Sequence, residues 1–499
     1  MRNFFSNPWG VAVGAVMLAA SVTACAHQEV YVDEKSAVVG FDIAPCEPAF
    51  DGYEADCGAL NVYENRKTKT GRIIPIKFVR VRARNGNETD DAVFVLTGGP
   101  GEGATPNASV RMQIEPTMAT RDLVIVDQRG TGGSNPLDCL KYDLAGRPEA
   151  FKEMFERPFF DPENYKKCKD RLSEKADLTQ YTTSIIADDI NDLREALGYK
   201  KMTLSGGSYG TTLGLEIIRR HENHVRAAVF KGVVPPSVFQ TETLAADADM
   251  ALEGVIAACE NDASCNEAFP SFRQDMAEVL DDVAKEPVKV TLPHSLTQEP
   301  TQVRVKYGEL ATAIRYVLYS AQVSAGLPLA VSEAKAGDYT KLTQFLPTLL
   351  YQLSEIGTEG MWASVRCAEE FPYIDVSRTR ALSENTMLGT ARLDSGLAIC
   401  SFWPRGERAE NFADPVRADT PVLMLTGEYD AASPPWMGEE AVRHLPNARL
   451  VVVPNSSHWD LGNPCVNQMV IEFVDTADVN AIDASCAADA KRPPFTLPQ

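Results

Sequence analysis

The 499-residue sequence predicts an α/β fold with a mostly parallel, doubly wound sheet and a helical insertion. The first observation is a set of short, unbroken apolar runs, which are typical of strands buried on both faces of a parallel sheet. These runs occupy residues 92–96, 123–126, 202–204, 227–230, 422–425 and 450–453. The second is helical periodicity between them, with apolar side chains at 4-3-4 spacing over residues 186–197 before Gly198. Strands that alternate with helices require crossover connections, which produce a parallel sheet.

The third observation is a change of pattern after residue 235. Strand-like runs are scarce between residues 236 and 417, where helical periodicity dominates. We therefore expect residues 41–235 and 418–499 to form two parts of one α/β core, and residues 236–417 to form a helical cap. A cap of this kind is placed to cover the carboxyl ends of the strands, where open α/β sheets bind ligands. The stretch IIPIKFVRVR at 73–82 predicts an antiparallel strand leading into the sheet.

The chain is strongly acidic, with 69 Asp and Glu residues against 48 Lys and Arg residues and a formal net charge of -21. A surface of this charge repels phosphates, so we expect no nucleic-acid partner and no electrostatic docking on an anionic membrane.

The N-terminus predicts export. A positively charged start precedes an apolar run at residues 11–20, too short for a comfortable membrane span, and the segment VTAC follows at 22–25. This segment resembles the lipobox of bacterial lipoproteins, whose cysteine takes a lipid and becomes the new N-terminus. We expect a signal peptide at 1–24, lipidation of Cys25, a tether at 25–40, and a lipid-anchored location on the exported side of a bacterial envelope. The alternative is an ordinary secretory signal cleaved near the same point.

The remaining ten cysteines form an even set in a chain predicted to enter an oxidising compartment, which indicates disulfides. Nearest-neighbour pairing is the simplest arrangement and joins Cys46 to Cys57, Cys139 to Cys168, Cys259 to Cys265, Cys367 to Cys400, and Cys465 to Cys486. A zinc site is the alternative, but the sequence has no C-x-x-C, and its six histidines are not spaced with the cysteines. We expect neither a metal nor a cofactor.

Residues 206–210 read GGSYG, the G-x-S-x-G spacing of a nucleophile on a sharp strand-to-helix turn. Side chains beside such a serine would collide with neighbouring backbone, so glycine is needed at both flanking positions. Short glycine- and serine-rich motifs are common, so Ser208 becomes a convincing nucleophile only with a base and an acid.

The candidate base is His458, and the candidate acid is Asp430. His458 lies in a polar loop after the last apolar run, which is a typical position for a catalytic base. Asp430 lies in the loop after the run that precedes it, and Glu428 and Asp460 are the alternatives. The order Ser, Asp, His along the chain is that of the α/β-hydrolases.

A serine nucleophile also needs two N–H donors for the developing oxyanion. The amide of Tyr209, directly after the nucleophile, is expected to supply one. The segment LTGGPG at 96–101 follows an apolar run, and its glycines let the backbone approach the substrate oxygen. Gly99 is therefore the expected second donor.

Five motifs in this order resemble the family of proline iminopeptidases and tripeptidyl aminopeptidases. They are GGPG at 98–101, DQRGTGGS at 127–134, GGSYG at 206–210, GEYDAASP at 427–434 and SH at 457–458. The stretch ADCG at 55–58 and the late cysteine pair look like the secreted tripeptidyl branch. The resemblance covers most of the chain from about residue 40. It implies an α/β-hydrolase fold, cleavage near the free N-terminus of a peptide, and a helical cap that holds the free amine. Thr97 stands where iminopeptidases usually have histidine, which favours the tripeptidyl branch.

An exopeptidase of this kind needs carboxylates to pair with the substrate ammonium. Glu369 and then Glu370, in the cap beside a predicted disulfide, are the first candidates. Glu102 is the third, because it follows GGPG where the family commonly has a small residue. All three have the alternative interpretation of solvated surface acids. Asp127 and Arg129 are expected to form an ion pair that supports the oxyanion loop.

The residues support three functions. The first is a serine exopeptidase that acts on short peptides with a free N-terminus through Ser208, His458 and Asp430. The second is an esterase or lipase with the same triad, since this fold hosts many chemistries, and a requirement for a free substrate amine separates the two. The third is a non-catalytic lipoprotein on a hydrolase scaffold, against which the complete triad argues.

Overall fold

The computed structural model describes residues 36–47, 53–86, 89–105, 120–139, 149–156, 160–349, 351 and 357–498. The predicted signal peptide, Cys25 and most of the predicted tether lie outside these residues. The tether prediction is wrong at its end, because the first strand begins at Val38 and therefore includes residues 38–40.

A nine-stranded sheet forms the core. Its strands are β1 Val38–Pro45, β2 Ala55–Tyr63, β3 Ile73–Val81, β4 Asp91–Leu96, β5 Leu123–Val126, β6 Lys201–Gly207, β7 Val225–Lys231, β10 Val422–Gly427 and β11 Ala448–Val453. Their order across the sheet is β1-β2-β3-β5-β4-β6-β7-β10-β11. The pairs β1–β2, β2–β3 and β3–β5, at one edge of the sheet, are antiparallel. Every other neighbouring pair, from β5 across to β11, is parallel. This arrangement confirms the predicted fold class.

The parallel strands are apolar without interruption because both faces of the sheet are covered. In β4, Phe94 packs into one hydrophobic cluster and its neighbour Val93 into another. The same division separates Phe230 from Val229 in β7, so successive side chains alternate between two buried layers.

Sixteen named helices accompany the sheet within the described residues. They are α1 Ala150–Glu156, α2 Pro162–Ser173, α3 Thr183–Ala196, α4 Tyr209–His221, α5 Gln240–Asn261, α6 Ala263–Ala268, α7 Phe272–Lys285, α8 Tyr307–Val317, α9 Ala321–Ser324, α10 Leu327–Lys335, α11 Thr340–Thr343, α12 Glu359–Glu369, α13 Val376–Ser383, α14 Ala391–Cys400, α15 Pro435–Val442 and α16 Pro464–Thr476. α3 and α4 cover one face of the sheet, and α16 covers the other.

The cap region, residues 236–417, contains helices α5 to α14 and has a hydrophobic cluster of its own. It also contains a hairpin that the sequence reading missed, β8 Val288–Pro293 with β9 Pro300–Val305. Phe151 and Phe155 of α1 pack into the same cluster, although they precede the predicted cap by some 80 residues. Two separate segments of the chain therefore build this layer.

The five disulfides join the same neighbouring cysteines that the simplest pairing predicts. Within the described part of the chain, no helix is both long enough and apolar enough to cross a membrane. The same residues contain no group of three His, Cys, Asp or Glu side chains arranged to hold a metal ion.

Candidate active site

Ser208 stands at the turn between β6 and α4 in a backbone conformation that non-glycine residues rarely adopt. Its φ is 54° and its ψ is -125°. Such a conformation costs on the order of 1–3 kcal/mol, and it persists because the surroundings determine it. The Ser208 N–H donates to the Lys231 carbonyl at 3.0 Å, which ties the turn to the end of β7. The serine is half-buried.

The two glycines that flank Ser208 are required by close backbone contacts. A Cβ on Gly206 would lie 2.6 Å from the Gly210 carbonyl oxygen, and a Cβ on Gly210 would lie 2.2 Å from the Leu96 carbonyl oxygen. Both distances are shorter than any side chain tolerates, so the G-x-S-x-G pattern follows from the packing of this turn.

Asp430 and His458 form a buried pair beside this turn. Asp430 Oδ2 lies 2.7 Å from His458 Nδ1, and the Asp430 side chain is fully buried. Its other oxygen accepts from the Ala432 and Ser433 backbone N–H groups, each at 2.8 Å. A carboxylate held in this way fixes the orientation of the imidazole and leaves Nε2 free to accept a proton.

Ser433 is a member of the site that the sequence reading missed. Its hydroxyl lies 3.0 Å from Asp430 Oδ2 and 3.2 Å from His458 Nδ1. The only sequence signal is its place three residues after the acid, in the same loop.

The two alternative acids have other roles. Glu428 is exposed, and its carboxylate accepts from the Asn455 N–H at 2.9 Å. Asp460 accepts from the Ala321 N–H at 2.6 Å and from the Ser457 N–H at 3.1 Å, so it links the histidine loop to the cap. Neither contacts the imidazole.

The three triad candidates follow strands that lie close together in the sheet. Ser208 follows β6, Asp430 follows β10 and His458 follows β11, at the carboxyl ends of parallel strands. Gly232, at the end of the intervening β7, makes room for the imidazole, because a Cβ there would lie 2.9 Å from His458 Cε1.

The predicted oxyanion loop lies directly against the nucleophile. A Cβ on Gly98 would lie 3.1 Å from Ser208 Cβ, and Gly99 has a φ of 105°, which favours glycine. The Thr97 hydroxyl donates to the Glu102 carbonyl at 2.7 Å and closes the loop. The cap holds it from the other side, since the Thr358 N–H and hydroxyl both donate to the Gly101 carbonyl, at 2.9 and 2.8 Å.

Asp127 supports this loop, but the predicted ion pair between Asp127 and Arg129 is wrong. Asp127 accepts from the Ala104 N–H at 2.8 Å and the Thr105 hydroxyl at 2.7 Å. Arg129 turns the opposite way and pairs with Asp189 of α3 at 2.6 Å. These two residues of one loop, separated by Gln128, therefore have different partners, and spacing along the chain does not reveal this.

Glu369 and Glu370 are engaged by other parts of the protein. Glu369 is buried, and its two oxygens accept from the Thr183 N–H and hydroxyl, each at 2.6 Å. Burial raises the pKa of Glu369 to about 7. Glu370 pairs with Arg366 and accepts from the Thr241 hydroxyl at 2.7 Å. The surface-acid interpretation is wrong for both residues, and the structure gives each carboxylate an internal partner in place of a substrate amine.

Hydrogen bonds connect Glu369 through Thr183 to Tyr209, the residue that follows the nucleophile. The Thr183 hydroxyl that donates to Glu369 also lies 2.7 Å from the Tyr209 hydroxyl. Tyr209 carries one of the expected oxyanion donors on its backbone. Glu369 therefore helps to hold the Tyr209 side chain in place at the start of α4.

Glu102 is the one predicted amine ligand that lies beside the nucleophile. Both residues border the space next to Gly98. A Cβ built on Gly98 would lie 3.3 Å from Glu102 Oε2 and 3.1 Å from Ser208 Cβ, so the carboxylate and the serine face the same small space. Burial raises the pKa of Glu102, and the charge of His458 opposes that rise. The side chain is half-buried.

The chain is similar to several known proteins. A family model described as TAP-like protein matches residues 385–486. A tripeptidyl aminopeptidase of Streptomyces coelicolor is 26% identical over 464 residues, covering 87% of this chain and 83% of that protein. The serine protease Hip1 of Mycobacterium tuberculosis is 23% identical over 458 residues, covering 86% and 87%. The crystal structure of a proline iminopeptidase from Mycobacterium smegmatis superposes with a TM-score of 0.41 and 17% identity, covering 85% of this chain and 99% of that one.

The fold and the comparisons define a serine hydrolase of the α/β-hydrolase class. Within that class the chain is related to the tripeptidyl aminopeptidases and proline iminopeptidases, the group that its motifs predict.

Proposed function

We propose that the protein is a serine exopeptidase that hydrolyses a peptide bond near the free N-terminus of short peptides. The observation that carries the proposal is the buried Asp430–His458 pair beside the strained Ser208 turn. The printed names of its relatives, tripeptidyl aminopeptidase and serine protease, support peptides as the substrate class.

The reaction begins when Ser208 Oγ attacks the scissile carbonyl carbon while His458 Nε2 takes the hydroxyl proton. Asp430 keeps the imidazole oriented and stabilises its positive charge. The backbone N–H groups of Gly99 and Tyr209 bind the oxyanion. The tetrahedral intermediate collapses as His458 gives its proton to the leaving amine, which leaves an acyl ester on Ser208. Water then attacks the ester, with His458 again as base, and the serine is regenerated.

Glu102 supplies the carboxylate that pairs with the substrate ammonium. Its position beside Ser208 suits an ammonium close to the scissile carbonyl, as in the release of a single residue. Each further residue in an extended peptide moves the ammonium roughly 3.3–3.6 Å away. Release of a tripeptide would therefore place the ammonium beyond Glu102.

The proposal is tested with peptide anilides of one, two and three residues, each with a free or an acetylated N-terminus. We expect cleavage of the free-amine forms, fastest for one residue. Glu102→Gln should lower kcat/KM for that substrate by about 10- to 100-fold, since a charge-assisted hydrogen bond is lost. Glu407→Gln, at an exposed acid paired with Lys67, is the matched control and should be unaffected.

Each other outcome identifies a different error. Equal cleavage of acetylated peptides would remove the exopeptidase assignment. A free-amine requirement that survives in Glu102→Gln would leave the function standing and reject this residue as the amine ligand. Cleavage of simple esters alone would make the protein an esterase.

We further propose that the chain is exported and anchored to the bacterial envelope by a lipid on Cys25. The VTAC segment supports the anchor, and five disulfides suit an oxidising compartment. Cells fed an alkyne fatty acid should label the wild-type protein, and Cys25→Ala should abolish the label and release the protein from the membrane fraction. A Cys25→Ala protein that is still labelled would contradict lipidation at this residue.

A further inference from the structure

One helix of the cap, α12, is connected to both halves of the expected oxyanion hole. Thr358 immediately precedes this helix, and Glu369 is its last residue. Thr358 contacts the loop that carries Gly99, and Glu369 is connected through hydrogen bonds to Tyr209. A helix rises 1.5 Å per residue, so α12 is roughly 16 Å long and its two ends serve separate parts of the site.

The start of α12 pairs with the oxyanion loop through the backbone. The Gly101 carbonyl accepts from the Thr358 N–H at 2.9 Å and from the Thr358 hydroxyl at 2.8 Å. The neighbouring residues Gly357 and Glu102 form an isolated antiparallel bridge. A Cβ on Gly101 would lie 2.6 Å from the Thr358 carbonyl oxygen, so the two backbones are in direct contact. Gly99 lies two residues before Gly101, and its position therefore depends on Thr358.

The end of α12 is connected to the second donor by two hydroxyl groups. The Thr183 hydroxyl donates to Glu369 Oε2 at 2.6 Å and lies 2.7 Å from the Tyr209 hydroxyl. Since a hydroxyl has one proton, Thr183 gives its proton to Glu369 and accepts from Tyr209. Tyr209 is buried and opens α4, where the backbone N–H groups have no partner within the helix. A tyrosine held at its hydroxyl and by the packing of its ring keeps its own N–H in a fixed place.

α12 is itself fixed along its length. Every residue from Gly360 to Glu369 is buried. The Trp403 indole N–H donates to the Ser364 hydroxyl at 3.0 Å, and the disulfide between Cys367 and Cys400 joins the helix to α14. A helix that is packed on all sides and covalently joined to its neighbour keeps its two ends at a constant separation.

We propose that α12 sets the positions of the two oxyanion donors, with Thr358 and Glu369 as the positioning residues at its ends. Thr358 acts through the loop of Gly99, and Glu369 acts through Thr183 and Tyr209. An oxyanion hole is effective only when both N–H groups point at the place where the oxyanion develops, so the separation of the donors affects the rate. The inference rests on the Ser208 chemistry of the proposed function and is independent of its exopeptidase specificity.

Thr358→Val tests the start of the helix. Valine keeps the branched shape and the backbone N–H but removes the hydroxyl donor. We expect kcat on an aryl ester without an amine to fall by about 3- to 10-fold, with KM unchanged, because one hydrogen bond to the loop is lost. Thr358→Ser restores the hydroxyl and should restore the rate. Thr379→Val is the matched control, because this buried threonine donates to the Asp375 carbonyl at the start of α13.

Glu369→Gln tests the other end. The side-chain oxygen of glutamine keeps the hydrogen bond from the Thr183 N–H, so the NH₂ group takes the place of Oε2 and donates to the Thr183 hydroxyl. That hydroxyl then donates to Tyr209, whose own proton loses its acceptor. We expect kcat on the same ester to fall by about 3- to 10-fold at pH 8.

A protonated Glu369 should behave like the glutamine, which gives a test that loss of stability does not imitate. Burial raises the pKa of Glu369 to about 7, so the carboxylate is charged at pH 8 and mostly protonated at pH 6. The ratio of the wild-type rate to the Glu369→Gln rate should therefore approach one as the pH falls from 8 to 6. The titration of His458 cancels in this ratio because both proteins contain it. The charged groups around Glu369 are Glu216 of α4, Arg366 of α12, and Arg408, which donates to the Glu369 backbone carbonyl.

Two results would overturn the proposal. One is a Thr358→Val protein that is as fast as Thr379→Val, and the other is a wild-type to Glu369→Gln ratio that does not change with pH. Where Thr358→Val fails to fold, Thr358→Ala replaces it. Where Glu369→Gln fails to fold, Tyr209→Phe removes the hydroxyl at the other end of the same connection, keeps the backbone N–H, and should cause the same loss at pH 8.

Failure of the proposed function is distinguishable from failure of this inference. If the wild-type protein cleaves the ester but no peptide, the exopeptidase specificity is wrong and the comparison of variants stands. If it cleaves neither, the rate of covalent labelling by a fluorophosphonate, whose phosphoryl oxygen binds the same two donors, is compared among the same variants. Equal labelling rates in all of them would then overturn the positioning role.

Discussion

Ser208→Ala is expected to lower kcat/KM on a cleavable peptide by at least about 10⁴-fold. The variant removes the only hydroxyl on the turn between β6 and α4, so no acyl-enzyme can form. The oxyanion donors and the substrate contacts remain, and they leave the small residual rate that triad variants retain.

This prediction is measured by steady-state kinetics together with labelling by a fluorophosphonate probe. The wild-type protein should bind one probe molecule covalently and Ser208→Ala none. Ser173→Ala, at an exposed serine at the end of α2, controls for the loss of a hydroxyl elsewhere. Near-normal activity in Ser208→Ala would remove this residue as the nucleophile, and with it the whole triad assignment.

Asp430→Asn is expected to lower kcat by roughly 10⁴-fold while the fold is retained. Asp430 Oδ1 accepts two backbone N–H groups, so the amide oxygen of asparagine will take that position. The amide NH₂ then faces His458 Nδ1 and donates to it. Because Nδ1 then accepts a hydrogen bond, the imidazole proton lies on Nε2. A protonated Nε2 cannot take the proton of the Ser208 hydroxyl.

The asparagine variant should therefore be slow because of a wrong tautomer and not because of a lost contact. Its melting temperature is compared with the wild-type value, and proton NMR of the imidazole reports which nitrogen carries the proton. Glu428→Gln provides the matched control, since this acid lies in the same loop, is exposed and contacts Asn455. If Asp430→Asn is as active as Glu428→Gln, a different residue orients the histidine.

The local sequence pattern was sufficient to predict the parallel strands and the turn that carries Ser208. The apolar runs are readable because a strand covered on both faces has no polar side. The glycines of GGSYG are required because a Cβ at Gly210 would lie only 2.2 Å from the Leu96 carbonyl oxygen. The hairpin β8–β9 was missed even though its side chains alternate between buried and exposed. It lies inside a region of helical periodicity, and a two-stranded element is short enough to be overlooked there.

The participation of α1 in the cap layer could not be read from its own sequence. Phe151 and Phe155 indicate an apolar face, but any buried surface would satisfy that pattern. The partner surface is supplied by residues far along the chain.

The sequence by itself determined the fold class and the order of the candidate triad, because each depends on short-range pattern or on order along the chain. For the cysteines it offered only the simplest pairing, and the structure decided the connectivity. Only the tertiary structure decided which carboxylates face the nucleophile and which are engaged elsewhere. From the sequence, Glu369 and Glu102 were both candidates for the substrate ammonium. In the structure Glu369 accepts a hydrogen bond from Thr183, whereas Glu102 lies beside Ser208. A charge takes its role from the groups that surround it in space, and those groups come from distant parts of the chain.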